Sequence, residues 1–125
     1  MEIKKVINEA CGSWHRHCEL LSMNCNMSNL SLIYAKEEDS KTWKINFTNP
    51  VCYKVTSEEF GGTGLLSKLP QDGSFFEVYD SPWVQSVLQN DFQLNLKHFI
   101  FCFYEEIIEV LCEDIIFKTS VEKTV

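Results

Sequence analysis

No part of this 125-residue chain approaches the roughly eighteen uncharged apolar residues that a membrane-spanning helix needs, so no such helix is expected. The opening stretch, MEIKKVINEACGSW, carries two lysines, but no apolar run follows as a secretory signal requires. The chain is therefore expected to stay in the cytoplasm. Basic residues are outnumbered, 11 against 18 acidic ones, which gives a formal net charge of −7. They are scattered and form no stripe, which argues against a nucleic-acid partner. There is no C-x2-C pair of the kind that structural zinc sites use. Gly61-Gly62-Thr63-Gly64 lacks the following Gly-Lys-Ser/Thr of a phosphate loop, and no G-x-G-x-x-G occurs. That glycine run is expected to be a connecting loop. No long polar linker and no internal repeat divides the chain, so residues 1–125 are expected to form one domain.

What is present is apolar and aromatic residues, at 45% and 13%, too many for a disordered chain. Their spacing points to strands. Leu21, Met23, Cys25 and Met27 alternate with polar residues. So do Leu30, Leu32 and Tyr34, and then Trp43, Ile45 and Phe47. Val51 to Thr56 can follow as a fourth strand, which makes residues 18–56 an antiparallel meander with short links. Phe75 to Tyr79 is a further short strand. The run His98 to Tyr104 is apolar throughout, so both of its faces are expected to be covered. Ile107 to Cys112 and Ile115 to Val121 complete a second meander, linked by the acidic pairs Glu105-Glu106 and Glu113-Asp114.

Helices are scarce. Ile3, Val6 and Ile7 would share one face of a helix over 2–10. A helical turn can open at Ser57. Ser81-Pro82 is a helix start, with serine as cap and proline in the first turn, and Trp83, Val84, Val87 and Leu88 give an apolar stripe over 82–89. The fold class is thus mainly β (or α+β): two antiparallel meanders forming a sheet, a sandwich or a partly open barrel, with one or two short helices.

Chemistry-bearing residues form no coherent set. The six cysteines, at 11, 18, 25, 52, 102 and 112, mostly sit in strand patterns and are expected to be free thiols in the core. Cys11, His15 and Cys18 would fall on one helix face, but Gly12 and Ser13 interrupt it and a fourth ligand is missing. No metal or cofactor is expected. His15, His17 and Cys18 are the candidates for a reactive Cys/His pair, which needs a lowered thiol pKa. Clustered carboxylates could instead act as a pair in a small hydrolase. Glu109 interrupts an apolar strand, so it either faces solvent or has a buried partner; solvent is the expectation. Glu58, Glu59, Asp80, Trp83 and Glu109 are the candidate partner contacts.

Two segments carry a family resemblance. One is Trp14-His15 with Cys18 and the strand into Leu30-Ser31-Leu32. The other is the hairpin Phe101-Cys102-Phe103-Tyr104-Glu105-Glu106-Ile107-Ile108-Glu109-Val110. Together they resemble small bacterial β-rich immunity-type proteins, which neutralise toxins exchanged between competing bacteria. Members often carry aspartate where Arg16 stands. The resemblance implies a module that binds and blocks a partner, with no catalytic residues. An acidic chain would suit a basic partner protein. The alternatives are a small hydrolase-like enzyme and a structural or oligomer-forming domain.

Overall fold

The computed structural model describes residues 1–14, 17–26, 29–37, 39, 41–57, 68–70, 72–88 and 95–119. His15, Glu58, Glu59 and the glycine run 61–64 lie outside the described residues, as does the expected helical turn beyond Ser57. The described elements run in chain order as β1 (Glu2–Lys5), β2 (Cys18–Asn26), β3 (Asn29–Lys36), β4 (Thr42–Thr48), β5 (Cys52–Ser57), β6 (Phe75–Tyr79), α1 (Pro82–Leu88), β7 (Lys97–Cys102), β8 (Glu106–Cys112) and β9 (Asp114–Thr119). The fold is mainly β, with two antiparallel sheets and, among the described residues, one short helix. No described helix is long and apolar enough to cross a membrane.

One sheet has the order β1-β6-β7-β8-β5 and the other β2-β3-β4-β9. Alternation puts Leu30, Leu32, Tyr34, Trp43, Ile45 and Phe47 on one face of the four-stranded sheet. They meet Phe75, Phe99, Phe101, Ile108 and Val110 of the five-stranded sheet in one core, so the two sheets form a sandwich. Phe75 is the hub. Its ring centroid lies 5.1 Å from Phe101, 5.2 Å from Tyr34 and 5.5 Å from Phe103, with steeply inclined rings. The five-stranded sheet also buries its outer face. There Ile107, Phe76, Val78, Ile100, Cys102 and Leu69 form a second cluster, with Ile3 beside it. The apolar run Phe99 to Cys102 in β7 follows from this double burial.

Three features depart from the sequence expectations. First, residues 2–5 are a strand and not part of a helix. Ile3 faces the outer cluster, Val6 packs on the central core and Ile7 is exposed. The three residues of the supposed helix face therefore lie in three different environments, and pairing of Ile3 with Val78 wins over a helix of two turns. Second, β2 contains a bulge between Leu20 and Ser22. Leu21 is the extra residue and stands exposed, while Cys18 is buried and Leu20 and Met23 pack on the core. Third, the strands of the two meanders exchange sheets. β5 pairs with β8, and β9 pairs with β4. Glu113 alone separates β8 from β9. One residue is too short for a hairpin reversal, which takes at least about two, so the chain bends into the other sheet. The two crossings lie side by side. The Glu113 amide donates to the Thr48 carbonyl (2.9 Å), the Val51 amide to the Leu111 carbonyl (2.8 Å), and Asn49 Nδ2 to Glu113 Oε2 (2.6 Å). Asn49 adopts a left-handed φ of 48°, which asparagine tolerates well.

The irregular stretch after β1 is fixed by a buried serine. Ser74 Oγ accepts from the Gly12 amide at 2.8 Å, and the Tyr34 hydroxyl donates to the Ala10 carbonyl at 2.6 Å. A Cβ at Gly12 would lie 2.9 Å from His17 Cβ, 3.1 Å from Cys18 Sγ and 3.2 Å from Ser74 Oγ. Gly12→Ala is therefore expected to destabilise the protein by about 1–3 kcal/mol, measured as a lowered midpoint in urea unfolding.

Candidate functional site

Two polar assemblies stand out, one inside the five-stranded sheet's outer face and one at an end of the sandwich. The first links four elements. Ser81 precedes α1, His98 lies on β7, Glu109 on β8 and Lys54 on β5. Ser81 Oγ and His98 Nδ1 are 2.8 Å apart, and His98 Nε2 is 2.8 Å from Glu109 Oε1. Lys54 Nζ lies 3.4 Å from Glu109 Oε2 and 4.7 Å from the centre of the Trp83 ring, and Trp83 meets His98 edge-on. Glu109 carboxylate accepts the Nε2 hydrogen, which leaves Nδ1 to accept from the Ser81 hydroxyl. Ser81, His98 and Glu109 are 3%, 6% and 5% exposed.

Glu109 thus does not face solvent, contrary to expectation, and is not available as a direct partner contact. The physical reason is register. Ile100 stands directly opposite Glu109, and His98 is the diagonal neighbour on the same face. Each strand has one polar interruption on that face, and the two interruptions pair. This arrangement has the constituents of a hydrolytic triad, but the serine is sealed and already accepts the Val84 amide as a helix cap at 3.3 Å. It holds structure together and presents no nucleophile to solvent.

The second assembly is a cleft of about 480 Å³ lined by His17 to Leu20, Ala35 to Glu37 and Tyr104 to Glu106. The start of β2, the end of β3 and the β7–β8 turn build it. The Tyr104 amide donates to the Cys18 carbonyl (2.8 Å) and the Glu37 amide to the His17 carbonyl (2.7 Å), so the turn is pinned to the strands. Four carboxylates, Glu19, Glu37, Glu105 and Glu106, line this cleft around the exposed ring of Tyr104. Burial, and then the neighbouring charge of Glu105, push the Glu106 carboxyl above its ordinary value. The lysine in the cleft does not balance these charges from the open side. Lys36 has a side chain only 9% exposed; its ammonium donates to the Glu9 carbonyl, pairs with Asp39 at 3.6 Å and lies over the Trp43 ring.

Of the expected reactive set, His17 and Cys18 are described and His15 is not. Cys18 is 1% exposed, with its thiol 3.9 Å from Ser74 Oγ. His17 uses Nδ1 on Ser13 Oγ at 2.7 Å and turns Nε2 toward Glu37 at 4.0 Å. Burial, with the nearby Cys18 thiol, pushes Cys11 up to about 12, and burial does the same to Cys112. None of the six cysteines is in a disulfide. Cys18, Cys102 and Cys112 are core, Cys11 and Cys52 are half-buried, and Cys25 is exposed rather than core. Among the described residues no group of three or more His, Cys, Asp or Glu side chains could hold a metal ion. Asp80 is exposed with a left-handed φ of 53°, and Trp83 is half-buried against Lys54 and His98. The chain matches no protein-family model, no curated protein and no solved structure.

His98→Phe leaves Glu109 buried with Lys54 as its remaining charged partner. It is expected to cost about 3 kcal/mol in urea unfolding, and the double variant His98→Phe/Glu109→Leu should regain most of that loss, because a buried carboxylate that has lost a donor is worse than none.

Proposed function

We propose that this chain is a non-catalytic protein-binding module that works in the cytoplasm and takes a basic surface of its partner into the acidic cleft. The carrying observation is the set of four carboxylates, Glu19, Glu37, Glu105 and Glu106, around one cleft whose lysine is turned back into the fold. The charges of Glu105 and Glu19 both act to raise the Glu106 carboxyl, and a cation from outside relieves that repulsion. The net charge of −7 draws a basic partner toward the cleft before contact. A mixed aromatic and acidic lining suits lysine and arginine side chains, which present an apolar stem and a charged end. The narrower form of the proposal is an inhibitor that blocks a cognate bacterial toxin, in line with the immunity-type resemblance. The enzyme alternative is less favoured because Cys18 is turned inward and Ser81 is sealed.

The test uses the full chain as bait in extract from the cell that makes it, followed by titration calorimetry with the partner recovered. Glu19→Lys/Glu37→Lys changes two exposed residues and should weaken binding about tenfold or more. Binding should weaken with added salt. It should also weaken as pH falls toward the carboxylate range, with Glu106 gaining its proton early because its carboxyl is held high. Equal binding by the charge-reversed variant would sink the proposal.

One observation favours the oligomer reading. Val51, Tyr53 and Val55, on and beside edge strand β5, are each exposed. Light scattering of the free chain decides this: a monomer at high micromolar concentration removes that reading, and a dimer that Tyr53→Lys dissociates supports it.

A further inference from the structure

Helix α1 is attached differently from every strand of the sandwich core. It has seven residues, and none of them is buried. A helix of that length is not stable by itself, so its seat decides whether it exists. The seat is polar. Ser81 Oγ accepts the Val84 amide, and the Ser81 carbonyl accepts the Gln85 amide at 3.1 Å. The same hydroxyl is tied through His98 and Glu109 to Lys54, and Lys54 returns to the helix on the face of Trp83. The contacts thus make a closed circuit that leaves α1 at its cap, crosses β7, β8 and β5, and comes back to α1 two residues later.

We infer that α1 is a strap, shut by this circuit, that opens as a local unit while the sandwich stays folded. Elements that share a buried apolar core unfold together. An element held by a few hydrogen bonds and by half-buried side chains only, here Trp83, Val84, Val87 and Leu88, opens separately and at lower free energy. The opening has a chemical consequence. It uncovers His98 and Glu109, an imidazole and a carboxylate fixed on two central strands and otherwise sealed from water. The Trp83 face is therefore the adaptable one, whereas the acidic cleft is built on pinned strands. This inference does not depend on the proposed partner.

Native-state hydrogen exchange of the full chain, read by mass spectrometry across a denaturant series, tests it. The amides of Val84 and Gln85 are expected to exchange about a hundredfold or more faster than those of β7 and β8, and with little denaturant dependence. Ser81→Ala should speed α1 exchange a further fivefold or so and leave β7 and β8 unchanged. Lys54→Met, which takes the ammonium from both Trp83 and Glu109, should speed α1 exchange to a smaller degree, read relative to β7 and β8 in the same variant. Exchange of α1 at the rate and denaturant dependence of β7 and β8 would overturn the inference. So would unchanged α1 exchange in both variants, and so would loss of the whole sandwich in Ser81→Ala.

Discussion

The five-stranded sheet must bury both of its faces, and most of the structure follows from that. The inner face is met by the four-stranded sheet through Phe75 and its neighbouring rings. The outer face has no second sheet among the described residues. It is closed by the cluster around Phe76, Ile100 and Ile107 and by a polar circuit. Strands β7 and β8, central in that sheet, have apolar residues on both sides for this reason. The two buried exceptions, His98 and Glu109, are tolerated because each is the other's partner. A buried carboxylate without the imidazole would be left with an incomplete set of donors.

The same constraint separates a rigid part from a soft one. Where sheet packs on sheet, side chains interlock and backbone groups are paired, and the acidic cleft inherits that rigidity from β2, β3 and the β7–β8 turn. Where the outer face is closed by a seven-residue helix, the attachment is a handful of polar contacts and side chains that are only half-buried. A recognition surface on fixed strands keeps its charges in one arrangement, so less ordering is required when a partner arrives. A surface on α1 can change shape. The protein thus offers one preorganised face and one adjustable face.

Much of this was legible in the residues. Alternation at Leu30, Leu32 and Tyr34 and at Trp43, Ile45 and Phe47 marks the inner face correctly. The continuous apolar run from His98 marks a strand covered on both sides, and Ser81-Pro82 marks the helix start. What was not legible depends on distance in space. Helical spacing of Ile3, Val6 and Ile7 is real, but a neighbouring strand, Phe75–Tyr79, outbids the local preference. Glu105 and Glu106 look like plain turn residues until β2 and β3 bring Glu19 and Glu37 beside them. Two features of the sequence bear on these pairings. The lone His98 and the lone Glu109 interrupt successive strands on what becomes the same face, and the gap between Cys112 and Asp114 is too short to reverse the chain.

The exchange of strands between sheets at Thr48–Cys52 and Cys112–Asp114 also bears on how the protein is made. The four-stranded sheet lacks its last edge until β9 exists, and β5 has no neighbour until β8 exists. During synthesis the early strands therefore wait, with Trp43, Ile45 and Phe47 uncovered, until β9 has left the ribosome. Such late, long-range closure makes folding slow and exposes the nascent chain to aggregation. Surveillance by chaperones would act on that interval, and the loss of β9 would be felt about seventy residues earlier, in β4.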